Sequence, residues 1–404
     1  MIRFLKSLIN LCNPYEKRDF NSLEYCFLRV LNNFLNYFIF KIFKTFNLKL
    51  LPIPAEAIGH QIFDIECFLY EQKKKKLKFT PVITGGYNYI ANHFLFNNFQ
   101  INRINFIIVR NRFLCMLLFF QRNYKNITYD TFKYQVTRDF RTMFTIFKKK
   151  PFCYKLDRTQ TKLAEKIIKD LRIDIKKDFV IIHARDSSYK KYDGESYRNS
   201  EIENFKNAVY WLKRKGLQII RIGNTGMKKC SYENQIIDVT TLNLSREKKE
   251  VLDLYFIDQC KFLIGSASGP YLMASAFNKP MLLVDMAPLG NIFPCAKKAI
   301  ALPKLYRNKS NGKLINFKVV LEYNFSHYRL DSEFELSGIN LKNNSQKEIL
   351  DATKEIFYRV KNNNFRENFI QRKFKKIFNK KIHDSANSST SISSTFINKY
   401  KNLL

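Results

Sequence analysis

From Phe179 to Asp285 short apolar runs alternate with helical stripes, and this alternation predicts a parallel α/β sheet. Phe179 to Ile182 is an apolar run closed by His183, Ala184, Arg185, Asp186, Ser187 and Ser188. A helix is expected from Ser200, where Ser200-Glu201-Ile202-Glu203 has the form of a capping box, with Ile202, Phe205, Val209 and Leu212 as its stripe. Gly216 stops it, and a strand resumes over Leu217 to Ile222. Farther on, Phe262 to Ile264 runs into Gly265, Ser266, Ala267, Ser268, Gly269 and Pro270, then a helical segment, then the apolar run Met281 to Val284 closed by Asp285. The pattern reads strand, tight turn, helix, strand. Small residues let that turn approach a ligand, Pro270 suits a first helical turn, and the helix N-terminus offers free N–H groups to an anion.

The flanks differ from this centre. Residues 1–50 form an amphipathic N-terminal region, with Phe27, Leu31, Phe34, Leu35, Phe38, Ile42 and Phe46 at helical spacing. That helix either packs on a core or lies at a membrane surface, the core being the safer reading. A first α/β domain is expected over 51–172, with strands at Leu50 to Ile53, Phe79 to Ile83 and Asn105 to Val109 and a helix over Gln61 to Glu71. A second spans 173–310, with strands near 179, 217, 235, 261 and 280. Residues 311–362 connect to a terminal helix, Ser345 to Val360, capped by Asn344 or Ser345. The stretch 363–404 is a basic tail. Ile370, Phe374, Ile377 and Phe378 lie among its lysines and arginines, which reads as a membrane-surface helix or as one packed on the body. Residues 384–395, rich in Ser, Asn and Thr, are expected to be disordered.

The formal charge of +35 suggests an anionic partner: nucleic acid, anionic lipid or a phosphorylated substrate. Frequent Lys, Asn, Ile, Phe and Tyr also fit AT-rich coding DNA, so part of the charge needs no function. The basic residues are spread along the chain, and no zinc finger, RNP pattern or helix-turn-helix spacing accompanies them, so nucleic acid is an unfavoured partner. Eight scattered cysteines form no C-x-x-C pair and read as reduced core residues of a cytosolic protein. The first 20 residues lack the form of a signal peptide, and no transmembrane span is evident. The expected location is the cytoplasm, with the basic tail as a candidate for holding the protein at the inner membrane.

HARD at 183–186, the loop with Arg198, RIGN at 221–224, the run DLYFIDQCKFLIGSASGP and the NKP–LLVD segment together resemble one family. It comprises glycosyltransferases encoded in bacterial surface-polysaccharide clusters, similar in pattern to the O-fucosyltransferase and heptosyltransferase type. Pro54 to His60, followed by a helix with Glu66 and Phe68, also resembles that family's N-terminal motif. The resemblance covers about residues 52–357 and is densest over 179–285. It implies two facing Rossmann-like domains of the GT-B architecture, with a nucleotide-sugar donor held by the second. Arg185, Arg198 and the Ser266, Ser268, Gly269 turn would then lie near the donor diphosphate.

Sugar transfer needs the departing diphosphate neutralised, the acceptor hydroxyl deprotonated and the reacting atoms held close. Arg185 can grip a phosphate with two hydrogen bonds, or pair with Asp186. His183, Asp186 and Asn224 are further candidates, His183 equally a packed strand residue. For the base, His60 is chosen from the titratable group His60, Glu56 and Asp64 beside Gly59, because histidine titrates near neutrality. Packing at a helix N-terminus explains His60 equally well, and Glu56 comes next. No D-x-D occurs, and Asp64 and Glu66 point to different helix faces, so neither a metal nor any other cofactor is expected. The partners expected are a nucleotide-sugar donor and a glycan or lipid-linked acceptor. The alternatives are a polysaccharide pyruvyl-type transferase and a non-enzymatic nucleic-acid-binding protein.

Overall fold

The computed structural model describes residues 22–51, 53, 57–84, 91–95, 107–109, 112–121, 124–129, 154–175, 178–188, 194–291 and 298–404. It has the expected α/β class, in two compact units, Met1–Asp139 and Phe140–Leu404.

The first unit contains α1 (Ser22–Thr45), β1 (Leu48–Leu51), α2 (Ile58–Lys75), β2 (Thr80–Thr84), β3 (Ile107–Val109) and α3 (Arg112–Phe120). Its three strands pair in parallel in the order β1-β2-β3. Phe43 of α1 packs with Leu50, Val82, Leu118 and Ile127, while Leu28 packs on Leu117. A buried amide pair joins α1 to the end of α3, Gln121 Nε2 donating to Asn32 Oδ1 at 2.6 Å. The core reading of α1 therefore holds for one of its faces. α2 is longer than its sequence pattern, because Ile62, Phe63, Ile65, Cys67 and Phe68 bury most of its length.

The second unit opens with α4 (Arg158–Asp170), whose Asp157 and Gln160 form a capping box. Then come β4 (Phe179–His183), α5 (Lys206–Arg214), β5 (Gln218–Arg221), β6 (Ile237–Asp238), α6 (Arg246–Gln259), β7 (Leu263–Gly265), α7 (Gly269–Ala276), β8 (Met281–Met286), β9 (Ala299–Pro303) and β10 (Leu305–Asn308). The chain continues through α8 (Phe317–Glu322), α9 (Asp331–Leu336), β11 (Ile339–Lys342), α10 (Gln346–Lys361), α11 (Phe369–Lys375), β12 (Ser391–Ile392) and α12 (Ser394–Lys399). Because α4 packs on α6, the segment before residue 173 belongs to this unit rather than to the first domain.

Seven strands form one parallel sheet in the order β12-β9-β8-β7-β4-β5-β6. Counted along the chain, that order is 3-2-1-4-5-6-7, the doubly wound arrangement. β4, β7, β8 and β9 are buried along their whole length, which is why they read as unbroken apolar runs. The order reverses between β4 and β7, which run side by side with His183 opposite Gly265.

Two expectations for the C-terminus change. Residues 384–395 are ordered: β12 adds to the sheet beside β9, and Ser385, Ser388, Ser391 and Ser393 are buried. Their small hydroxyls satisfy buried polar groups, Ser385 Oγ donating to the Leu289 carbonyl and Ser393 Oγ to Glu355 Oε2, each at 2.8 Å. In the basic stretch, Phe374 and Phe378 are buried, and the Phe374 ring lies 5.4 Å from that of Phe317. Of its two readings, the packed helix is the one present, shortened to α11. Ser345 caps α10 in a capping box with Glu348, whereas Asn344 turns inward to Asp285 and Pro303. Ser200 forms no capping box: its hydroxyl donates to Asp285 Oδ2 at 2.5 Å, and Glu203 accepts from Ser231. Cys26, Cys67, Cys115, Cys230 and Cys260 are buried free thiols.

Candidate functional site

The carboxyl ends of β4 and β7 carry the loops singled out in the sequence. After β7 the chain turns through Ser266, Ala267 and Ser268 into α7. The Ser266 N–H donates to the His183 carbonyl at 3.2 Å, and the Ser266 hydroxyl accepts from the Arg185 N–H at 2.8 Å. A side chain at Gly265 would come within 2.9 Å of Leu263 Cδ2 on its own strand and would meet the His183 carbonyl at an ordinary contact distance of 3.5 Å. Ser268 is the N-cap of α7 but does not cap it with its side chain: its hydroxyl donates to the Ser266 carbonyl at 3.1 Å. Gly269 and Pro270 open the helix. The first turn thus presents backbone N–H and the positive end of the helix dipole, without a serine oxygen over them.

The loop 194–200 lies against this turn. Arg198 Nε donates to the Ala267 carbonyl at 3.1 Å, and its guanidinium pairs with Glu195. Arg198 is 29% exposed at the side chain, so its charge stays at the surface of the turn. Arg185 is buried, and its Nη1 donates to the Glu195 carbonyl at 3.1 Å and to Asn199 Oδ1. The structure thus brings Arg185, Arg198, Ser266, Ser268 and Gly269 together and gives Arg185 a brace on the loop.

Several residues that the motif reading did not single out as site residues hold this loop. Asp331, at the start of α9, accepts the Ser196 and Tyr197 N–H groups, both at 2.8 Å. Lys304 Nζ donates to the Asn199 carbonyl at 2.7 Å. Asp285, next to last in β8, has φ 53°, accepts from Ser200 Oγ and the Asn344 N–H, and is fully buried. Burial pushes its carboxyl up, against the pull of Lys304 and of these hydrogen bonds, and burial lowers Lys304 against the pull of Asp285. Asp285 and Lys304 each follow an unbroken apolar strand, which is the sequence signal that could have found them. Asp331 has no such signal.

The other candidates have different roles. His183 points Nδ1 at the Ile222 carbonyl at 3.0 Å, while Nε2 is buried with no hydrogen-bond partner. Desolvation lowers its pKa to about 4, so it is neutral at physiological pH. Asp186 accepts from the Ser188 and Lys228 N–H groups, each at 2.9 Å, and shapes its own loop and the one after β5. Burial raises its carboxyl, but the hydrogen bonds from Ser188 and Lys228 outweigh this and leave it below the ordinary value. Asn224 is exposed on that second loop, two residues after the Ile222 carbonyl that His183 meets.

In the first unit, Gly59 and His60 lie in the first turn of α2. His60 Nδ1 stands 3.1 Å from Asp64 Oδ2, one helical turn on, with Asp64 buried and the His60 side chain 27% exposed. The buried carboxylate thus holds the part-exposed imidazole by its Nδ1. Glu66 is half-buried on another face, and Glu56 lies outside the described residues. Among the described residues, no group of three or more His, Cys, Asp or Glu side chains could hold a metal ion.

No protein-family model matches the chain, and a search of the curated proteins found no match. Among solved structures, the chain is similar to a glycosyl transferase family 9 protein from Veillonella parvula DSM 2008, at 11% identity over 58% of this chain and 79% of that one, with a TM-score of 0.38. It is similar to the dodecameric iron-containing heptosyltransferase TibC in complex with ADP-D-beta-D-heptose, at 12% identity over 78% and 76%, TM-score 0.39. A third likeness is to E. coli heptosyltransferase WaaC with ADP-2-deoxy-2-fluoro heptose, at 12% identity over 63% and 92%, TM-score 0.31.

Proposed function

We propose that this protein is a GT-B-type glycosyltransferase. It would move a sugar from a nucleotide-diphosphate donor to a hydroxyl of a surface-polysaccharide or lipid-linked acceptor, without a metal ion. One observation carries the reading: the reversal of strand order between β4 and β7 coincides with the Ser266–Gly269 turn and the two arginines. In doubly wound sheets ligands bind outside the strand ends at such a reversal. A diphosphate there would meet the first-turn N–H groups of α7 and the charge of Arg198. Arg185 would act through the loop it braces, as a positioning residue.

The chemistry divides between bond breaking and proton removal. As the bond between the sugar's anomeric carbon and the diphosphate oxygen breaks, the diphosphate leaves with the electron pair, and preorganised N–H groups and Arg198 stabilise that growing charge. The acceptor oxygen forms the new bond to the anomeric carbon and gives its proton to a base, for which His60 is the candidate residue.

A thermal-shift screen against UDP-, GDP-, ADP- and CMP-sugars tests the reading, with phosphoenolpyruvate as the control for a pyruvyl-type transferase. One nucleotide class should raise the melting temperature by mass action and support sugar transfer that survives EDTA. The reading fails if no nucleotide stabilises the protein or if phosphoenolpyruvate alone does. Metal independence fails if EDTA abolishes transfer and manganese or magnesium restores it.

A further inference from the structure

We infer that the outward face of α1 is a membrane-docking surface that lays the helix flat in the interface of an anionic bilayer. One face of α1 is used up by the first unit: Leu28, Asn32 and Phe43 are buried, and Ile39, Leu31 and Leu35 pack partly beside them. Leu23, Phe27, Val30, Phe34, Tyr37 and Lys41 recur at steps of four and three residues along the other side, with Phe38 beside them. These are large apolar side chains in contact with water: Phe27 is 64% exposed, Phe34 75% and Phe38 62%. The stripe runs for about 27 Å along the helix at 1.5 Å per residue. A helix apolar on both sides holds large apolar side chains of one side in water, and an exposed patch of this kind marks an interaction surface.

Charge decides the occupant. After Glu24 the helix carries no acid, while Lys41 and Lys44 stand exposed at the C-terminal part of the stripe, within a chain of net charge +35. Lys41 Nζ lies 4.7 Å from the Tyr37 ring centre, so cation and aromatic ring present one amphipathic end. A second copy of α1 packed in parallel on this stripe would bring like charges together. An anionic lipid surface accepts the phenyl rings among its acyl chains and the lysines among its headgroups. None of the described helices is long and apolar enough to cross a membrane, so the contact is a surface one. The docking face does not rest on the nucleotide-sugar reading, since none of its residues has a role in the proposed sugar transfer.

The test is co-sedimentation of the full chain with phosphatidylcholine vesicles, with and without phosphatidylglycerol. Binding should require phosphatidylglycerol and weaken with salt. Joint substitution of Phe27→Ser, Phe34→Ser and Phe38→Ser should lower partitioning at least about a hundredfold. Lys41→Glu with Lys44→Glu should lower it about tenfold or more. A separate Phe34→Trp variant should gain fluorescence that brominated lipid quenches, a readout that survives if the triple variant fails to fold. Unchanged binding of a folded triple variant, or an unquenched tryptophan at 34, overturns the inference. So does a wild-type dimer that the triple variant dissociates while neither form binds vesicles; that result would assign the face to a second copy.

Discussion

The Arg185 N–H donates to the Ser266 hydroxyl at 2.8 Å, which locks the loop after β4 to the turn after β7 across the reversal of the sheet. The return bond, from the Ser266 N–H to the His183 carbonyl, closes the pair. The two segments most prominent in the sequence therefore meet, and they meet through backbone and a serine, while the Arg185 side chain is directed to the loop 194–200 and the Arg198 side chain reaches from that loop to the Ala267 carbonyl.

Arg198 and Arg185 should fail in different ways. Arg198→Ala removes a part-exposed cation and one bond to the turn, so stability should change by about 1 kcal/mol or less. Turnover should drop about a hundredfold, and the donor-induced rise in melting temperature should vanish. Arg185→Lys keeps the charge but loses the fork inside a buried site, at about 2 kcal/mol of stability. It should keep a donor-induced shift. Melting curves with and without donor separate the two, and a full shift in Arg198→Ala would move the diphosphate elsewhere.

His183 predicts an acid-side loss of stability. Its imidazole takes a proton near pH 6.5 when unfolded but only near 4 in the fold, because burial disfavours the cation. The unfolded state therefore binds more protons across that window, and stability falls as pH drops from 6.5 to 4, by about 3 kcal/mol in total. His383, also lowered by burial, adds in the same direction. His183→Asn places an amide nitrogen near the position of Nδ1 without the titration. Denaturant melts at several pH values should show a shallower fall in the variant, and parallel profiles would refute the assignment.

The sheet was legible because its strands are buried on both faces, which turns β4, β7 and β8 into unbroken apolar runs with polar ends. β12 was illegible for the opposite reason. Two residues, Ser391 and Ile392, suffice to pair with β9, and a run of serines reads as solvent-exposed unless its tertiary partners are known. The turn Ser266–Gly269 could be read from its small residues. The support from Asp331, Lys304 and Asp285 could not, since these contacts join residues 85 to 135 positions apart. Sequence motif marked the mouth of the site, and tertiary packing supplied the residues that hold it.

Removing residues 384–404 should damage the second unit rather than trim a loose end. The cut takes away β12, the buried Phe396 and Ile397, and the Ser393 and Ser394 bonds to Glu355. Burial of the two apolar side chains alone is worth about 3–6 kcal/mol. For a unit of this size that amounts to a drop of roughly 10–20 °C in melting temperature, or to insolubility. A truncated protein that melts with the full chain would show that these residues contribute nothing to the fold.

His60 provides the most selective test of the reaction. Its part-exposed ring is fixed by buried Asp64 at 3.1 Å, and Gln61, Ile62 and Phe63 beside it are buried, so the ring has little freedom to leave its place. His60→Ala removes a part-exposed ring, so the melting temperature should move by only a few degrees. If Nε2 takes the acceptor's proton, turnover should fall by about a hundredfold to ten-thousandfold. Donor affinity should stay the same, because the proposed diphosphate site uses groups of the second unit. Added imidazole should restore part of the lost rate in the cavity left by the ring, and should do nothing for Arg198→Ala. Asp64→Asn keeps an oxygen to accept from Nδ1 but loses the charge that balances the imidazolium, so its loss should be smaller. Full activity in a folded His60→Ala protein, or an equal loss of donor binding in it, would remove His60 from the mechanism and leave it as a helix-terminal packing residue.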